Sequence, residues 1–179
     1  MQSGRKVLVY IAISLDGYIA KENDDISFLS LVDKPGEDYG YSEFIKDVDT
    51  VIIGRKTYDK VLTFGIEFPH KDKKCYVITR TPRDSVDNLI FYTHSLKDLV
   101  IKLKQDNGKN IFVDGGSEII NALMKQNLVD EFVISIVPVF LGDGIKLFRD
   151  GRPETNLKLV ESREFETGLV QLHYRKINN

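Results

Sequence analysis

Apolar and polar positions follow two rhythms along this chain. Continuous apolar or β-branched runs occur at VLVYIAIS, TVIIG, KCYVITR, LIFYT, NIFVDGG and EFVISIVPVF, each of strand length and each bounded by Gly, Pro, Asp or Ser. Runs with no polar face belong to strands buried on both sides of a sheet. Between them, apolar residues recur at helical spacing. Ser95 can cap SLKDLVIKLKQ with Asp98 as its capping-box partner, Leu96, Leu99, Val100 and Leu103 share one face, and Gly108 follows the end. A second helix, SEIINALMKQ, starts at Ser117 and buries Ile119, Ile120, Leu123 and Met124. A shorter one around SEFIKDV buries Phe44, Ile45 and Val48. This alternation predicts an α/β fold, a mostly parallel central sheet flanked by helices. The last stretch, LKLVESREFETGLVQLHYRKI, reads instead as two alternating runs joined near Thr167 and Gly168, a C-terminal antiparallel hairpin that closes the sheet. DKPGEDYGYS (33–42) and GIEFPHKDK (65–73) read as surface loops. Pro138 and the glycines at 142 and 144 keep PVFLGDGIKLF from being a regular central strand throughout.

Composition narrows the function classes. A chain of 179 residues, 42% hydrophobic and 29% charged, can bury a sizeable core, and it is read as one domain over residues 1–179. A net charge of −2 gives no support for nucleic acid binding. The lone Cys75 cannot form an internal disulfide and sits in an apolar run, which suits a buried thiol and a reducing cytoplasm. MQSGRKVLVYIAISLDG imitates a secretory signal, but its apolar run stops at Asp16 with no cleavage site after it, so a first strand explains it better. No run approaches the ~18 apolar residues of a membrane span. His70, His94 and His173 lack metal-ligand spacing and no His or Cys cluster exists, so no metal is expected.

Two glycine stretches carry the candidate chemistry. In VIIGRKTYDKV a buried strand becomes a helix through Gly54-Arg55-Lys56-Thr57. A helix start there presents free N–H groups and partial positive charge, the glycine admits a phosphate, and Arg55 or Lys56 adds charge. The plainer alternative is a glycine turn followed by a solvated basic turn. NIFVDGGSEII repeats the logic: Asp114-Gly115-Gly116 leads from a strand into the helix at Ser117, and two such turns suit a dinucleotide with two phosphates.

ISLDGYIA, VIIGRKTYDKV, YVITR and VDGGSEIINALMKQNLVDEFVISIVPVFLGDGIKLF occur in the order and spacing of the dihydrofolate reductase superfamily. The last block resembles its riboflavin-biosynthesis branch, the RibD C-terminal reductase domain, and the resemblance covers about residues 5 to 175. It implies a dihydrofolate reductase-like fold and an NADPH-dependent reductase. By that resemblance Ala12, Ile13, Ile19 and Ala20 cradle the nicotinamide, and Gly54, Arg55, Lys56 and Thr57 hold the phosphates. Thr79, Arg80 and Thr81 meet the adenosine ribose, with Arg80 as candidate partner of a 2′-phosphate. Gly115 and Gly116 match a pair joined by a cis peptide, followed by Ser117 and Glu118 on the pyrophosphate side.

On the substrate side, DISFL resembles the helix start at which dihydrofolate reductases place a pteridine-binding carboxylate, and puts Asp25 there. An N-cap role is the alternative for Asp25, with Ser27 and Asp24 as competitors. Asp114 stands where riboflavin-type reductases carry an acid and true dihydrofolate reductases an apolar residue. It suits a polar substrate such as 5-amino-6-(5-phosphoribosylamino)uracil; the alternative is a turn residue bonding nearby N–H groups. Asp114 or Asp25 would orient substrate or relay a proton, and Phe28 and Tyr58 are the aromatics placed to flank it. The resemblance also implies a homodimer. Authentic dihydrofolate reduction and a non-catalytic nucleotide-binding module are the competing functions. The His and paired-Cys pattern of a zinc deaminase is absent, so a deaminase partner would be another chain.

Overall fold

The computed structural model describes residues 4–177, with secondary structure alternating as the hydrophobic pattern predicts. In chain order the elements are β1 (Val7–Ser14), β2 (Tyr18–Ala20), short 3-10 segments at Glu22–Asp24 and Ser27–Val32, α1 (Tyr41–Lys46), β3 (Val48–Gly54), α2 (Arg55–Leu62), β4 (Lys74–Ile78) and β5 (Leu89–Tyr92). There follow α3 (Leu96–Gln105), β6 (Asn110–Val113), α4 (Ser117–Lys125), β7 (Glu131–Val137), β8 (Ile145–Lys146), β9 (Leu157–Glu164) and β10 (Val170–Lys176). Ser95 caps α3 by accepting from the Asp98 N–H.

Eight strands form one sheet in the order β5-β4-β3-β6-β1-β7-β10-β9. The strands from β5 to β7 run parallel, and β10 lies antiparallel between β7 and β9, the expected hairpin. Successive side chains of β3 leave on opposite faces, and Val51, Ile52 and Ile53 are all 0% exposed, as a strand covered on both sides requires. Burial of each such side chain contributes roughly 1.5–3 kcal/mol. Ile52 joins Leu99, Val100, Leu103, Ile120 and Leu123 in a core beneath α3 and α4. Val51 and Ile53 join Tyr58, Cys75 and Phe112 in a second core, against which Phe44 and Ile45 of α1 pack. A third cluster holds Phe28, Val32, Val137 and Leu169.

Three local details refine the pattern. Val48 opens β3 rather than closing α1, because the turn at Asp47 ends the helix after Lys46. The run EFVISIVPVF stops being strand at Val137, since Pro138 has no N–H to donate to a ladder. The short strands β2 and β8, too brief for periodicity to mark, pair antiparallel as a separate two-stranded sheet.

The adjacent parallel strands β3 and β6 are followed by helices that go to opposite faces. Tyr58 of α2 packs in the second core, while Ile120 and Leu123 of α4 pack in the first. Such divergence leaves a crevice beyond the carboxyl ends of the two strands, the position where open α/β sheets bind ligands.

At the far end of the sheet an ionic network ties three strands together. Glu131, at the start of β7, takes Lys6 Nζ at 2.8 Å, His173 Nε2 at 2.7 Å and Arg175 Nε at 2.8 Å. Burial alone would raise the Glu131 pKa, but the bonds from Lys6, Arg175 and His173 outweigh it and the net shift is downward. A depressed carboxyl pKa stabilises the fold above its unfolded value, near 4.3 for Glu, and that contribution fades as pH falls through the folded value. Glu131→Gln should therefore cost about 1–3 kcal/mol at pH 7 in urea unfolding, with the Lys6 and Arg175 heads still partly solvated. The gap from the parent protein should narrow below about pH 4.3; a gap independent of pH would mean that the charge contributes nothing.

Candidate functional site

The two glycine turns meet at the crevice. Gly54, which ends β3, donates its N–H to the Gly115 carbonyl at 2.8 Å, and the Asp114 N–H donates to the Ile52 carbonyl at 3.0 Å. Close approach favours glycine: a Cβ on Gly54 would lie 3.2 Å from Ile119 Cγ1 and 3.4 Å from Gly116 N. A Cβ on Gly116 would lie 3.0 Å from Thr57 Oγ1, so the Thr57 hydroxyl sits over the second turn. The Gly115–Gly116 peptide is cis. Gly54 and Gly116 also stand immediately before α2 and α4, so the first-turn N–H groups of both helices flank one spot.

The cationic residues differ in their freedom. Arg55 is drawn along α2 into an ion pair with Asp59 at 2.6 Å, and Asp59 also receives Arg83 at 3.4 Å. Lys56 and Arg80 are exposed and, among the described residues, have no ion-pair partner. Thr79 is buried, and its hydroxyl bonds both the N–H and the carbonyl of Thr81, which shapes the turn that presents Arg80. Ser117 is buried and accepts from Arg149 Nη2 at 2.8 Å, while Glu118 is exposed. The pattern gave no reason to single out Arg149. It is brought to the α4 N-terminus by Asn121, which binds the Leu147 carbonyl and the Arg149 N–H.

The N-terminal residues reach the same edge by a different route. Ala12 and Ile13 lie near the end of β1, and Ile19 and Ala20 follow the Asp16-Gly17 turn on β2. Asp16 fixes that turn to the segment before β8, accepting from Ser14 Oγ, the Leu141 N–H at 3.1 Å and the Gly142 N–H at 2.7 Å. Burial opposes the charge, but these bonds prevail and hold the Asp16 pKa down at about 2.

Of the two candidate carboxylates, Asp25 uses both oxygens on Ser27, accepting from its N–H at 2.8 Å and its hydroxyl at 3.1 Å, and it pairs with Lys21. These are the contacts of a local turn, and none of them is to a residue of the glycine turns. Phe28 is buried in the third cluster beside Ala12. Tyr58 is buried edge-on to Phe68 and Phe91.

Asp114 instead meets a residue that sequence reasoning left aside. His70 Nε2 lies 2.7 Å from Asp114 Oδ2. GIEFPHKDK is therefore not a surface loop throughout: the loop turns inward at Phe68, and His70 is 1% exposed, its ring edge-on to Phe68 and Phe112. The only cue in the chain was the aromatic beside it, since a contact between positions 70 and 114 leaves no periodic trace. Asp114 keeps a partly exposed side chain, at 27%. Burial and then the Asp114 charge push the Cys75 thiol up to about 12, and the same two causes raise the Tyr41 pKa. A cavity of about 770 Å³ opens elsewhere, between the sheet face of β7 and β10 and residues 148–157, and of the candidate residues it touches only Ile13. The converging turns, not this cavity, bring the candidate residues together.

The RibD C-terminal domain model matches residues 5–171. The uncharacterized protein YwjB of Bacillus subtilis is 44% identical over 171 residues, spanning 95% of this chain and 97% of its own. The crystal structure of a putative riboflavin biosynthesis protein from Shewanella sp. PV-4 superposes with a TM-score of 0.88 at 29% identity, over 97% of this chain and 99% of that one. The Thermotoga maritima diaminohydroxyphosphoribosylaminopyrimidine deaminase/5-amino-6-(5-phosphoribosylamino)uracil reductase shares the fold, with a TM-score of 0.71 at 16% identity, over 98% of this chain and 58% of that one. The dihydrofolate reductase-like α/β fold expected from the motifs is thus the fold of the protein.

The β2–β8 pairing that holds Ile19 and Ala20 in place depends on Gly144, where φ is +135 and a Cβ would lie 2.2 Å from the Ala20 carbonyl oxygen. Gly142 also has positive φ, at +78, but open space around it. Gly142→Ala should cost about 1–2 kcal/mol in urea unfolding, the left-handed backbone alone. Gly144→Ala should cost more than about 3 kcal/mol, because backbone must move. Equal losses would show that this contact does not hold β2.

Proposed function

Since the chain belongs to the RibD C-terminal domain family, we propose that it is an NADPH-dependent reductase acting on a small polar heterocycle, with 5-amino-6-(5-phosphoribosylamino)uracil as the first candidate substrate. The observation that carries this reading is the junction of the two glycine turns. Two helix N-termini, a hydroxyl and close-packed glycines face one spot, with a carboxylate at the end of the same strand, β6.

The residues present fit a phosphorylated dinucleotide. The first-turn N–H groups that follow Gly54 and Gly116 and the Thr57 hydroxyl would take the phosphates, with the two glycines leaving room for them, and Lys56 and Arg149 supply positive charge at the two helix starts. Arg80, free of carboxylate partners among the described residues, would meet the 2′-phosphate. NADPH supplies the hydride. The chain's own work is binding, orientation and charge placement. The backbone at Ala12, Ile13, Ile19 and Ala20 would frame the nicotinamide, and Asp114 would orient a substrate whose imine or carbonyl carbon receives the hydride. A proton must reach the substrate nitrogen or oxygen in the same turnover, and water bound by Asp114 is a route for it. With both Asp25 oxygens committed to Ser27, Asp114 is the better placed carboxylate, which favours this reading over dihydrofolate reduction.

Titration calorimetry tests the cofactor. NADPH should bind at least about tenfold more tightly than NADH, and Arg80→Ala should weaken NADPH by about 1–3 kcal/mol while sparing NADH. Equal losses for both cofactors would remove Arg80 from the 2′-phosphate role. Binding of neither would refute the reductase reading, and binding without oxidation of NADPH by any pyrimidine, pterin or carbonyl substrate would favour a nucleotide-binding module.

A further inference from the structure

We propose that His70 is the positioning residue of the site, a neutral imidazole that holds the Asp114 carboxylate through an Nε2–H donor and keeps its other oxygen as a fixed hydrogen-bond acceptor for substrate. The inference rests on the reductase reading for the words "for substrate" and on geometry for the rest.

The geometry starts from an orphan atom. His70 Nδ1 is the buried side-chain polar atom that has no hydrogen-bond partner among the described residues. Its ring meets Phe68 and Phe112 edge-on and is 1% exposed, so bulk solvent does not reach it. The other ring nitrogen lies 2.7 Å from Asp114 Oδ2. Three proton arrangements are conceivable. If the imidazole carried both protons, or if Nδ1 alone carried one, a buried N–H would face apolar edges without an acceptor, the rarer and costlier defect. If Nε2 alone carries the proton, it donates to the carboxylate, and the orphan is only a lone pair. The third arrangement leaves the fewest unmet donors.

This arrangement acts on the site through Asp114. An ionised carboxylate only accepts. One oxygen is held by His70, the Asp114 N–H is held by the Ile52 carbonyl at 3.0 Å, and Oδ1 has no partner among the described residues on a side chain that is 27% exposed. The carboxylate is thus clamped from the core and open on one side. What it offers is an acceptor at a set position, directed to an N–H or O–H group of a ligand beside Gly115. Phe112, two residues before Asp114, packs edge-on to the His70 ring and buries that side of the clamp, where a hydrogen bond to a charge is stronger than in water.

Protein labelled with ¹⁵N-histidine decides the proton position by long-range ¹H–¹⁵N correlation. His70 should carry its proton on Nε2, and Asp114→Asn should shift that Nε2 signal while leaving those of His94 and His173 in place. A proton on Nδ1, or an Nε2 signal that ignores Asp114→Asn, overturns the inference. These spectra need neither cofactor nor substrate, so they stand even where NADPH fails to bind and the reductase reading falls. The functional arm uses NADPH oxidation with 5-amino-6-(5-phosphoribosylamino)uracil as probe. His70→Phe, which keeps a ring in the aromatic pocket but has no donor, should lower kcat/KM about tenfold or more with NADPH affinity unchanged. His70→Gln, whose amide N–H can reach Asp114, should recover most of that loss. Loss of NADPH affinity in His70→Phe, or equal losses of kcat/KM in the two variants at equal thermal stability, would overturn the positioning role.

Discussion

The Gly54 N–H bound to the Gly115 carbonyl is the contact on which the candidate site depends. It joins two strand ends whose helices diverge to opposite faces of the sheet, so it closes the base of a crevice that the topology alone would leave splayed. Side chains would strain it: a Cβ on Gly54 would crowd Ile119 and the partner turn, and one on Gly116 would crowd the Thr57 hydroxyl, so a neighbour would have to give way. The preference for glycine on both turns, and for a small hydroxyl at position 57 between them, follows from one geometric demand. That demand also leaves the backbone donors of the two helix starts uncovered.

How much of this was legible in the chain follows from the range of each interaction. β1 and α3 could be read almost to the residue, because an eight-residue apolar run and a cap at Ser95 are local facts. The glycine turns were legible as separate signals, since each sits between a strand pattern and a helix pattern. That they touch was not, because a parallel sheet can order its strands in many ways and only β6 inserted between β3 and β1 brings positions 54 and 115 together. His70 lies further still from local rules. Its neighbours Lys71, Asp72 and Lys73 mark a solvated segment, and the single inward turn at Phe68-Pro69-His70 is imposed by Phe112 and Asp114 from another strand. Asp25 shows the converse: its carboxylate is held by the N–H and hydroxyl of Ser27, two residues on, a contact of local range.

A second anchor works from the N-terminal side. Asp16 is the carboxylate that ties the turn after β1 to the loop before β8, and its depressed pKa records donors from Ser14, Leu141 and Gly142 converging on one side chain. Because β2 has only three residues, it cannot hold itself in place by pairing alone. The Asp16 contacts and the glycine-enabled approach of Gly144 to Ala20 take that role, so the segment bearing Ile19 and Ala20 is set by loops rather than by the main sheet.

Charge divides the crevice into two halves with different chemistry. On one side stand two helix starts, Lys56, Arg80 and the Arg149 guanidinium on Ser117, a field that attracts anions. On the other, Asp114 faces groups that do not compete with it. The Cys75 thiol is pushed up to about 12 by burial and by Asp114 itself, and the Tyr41 hydroxyl is pushed up by the same two causes, so neither ionises near neutrality. Under the proposed reading, a phosphate-bearing dinucleotide would set its phosphates at the helix starts, and its orientation would be decided by whether Arg80 takes the 2′-phosphate. The same separation bears on the acid one residue before the glycine pair: one of its oxygens is tied to His70 in the core, so only the other reaches the crevice.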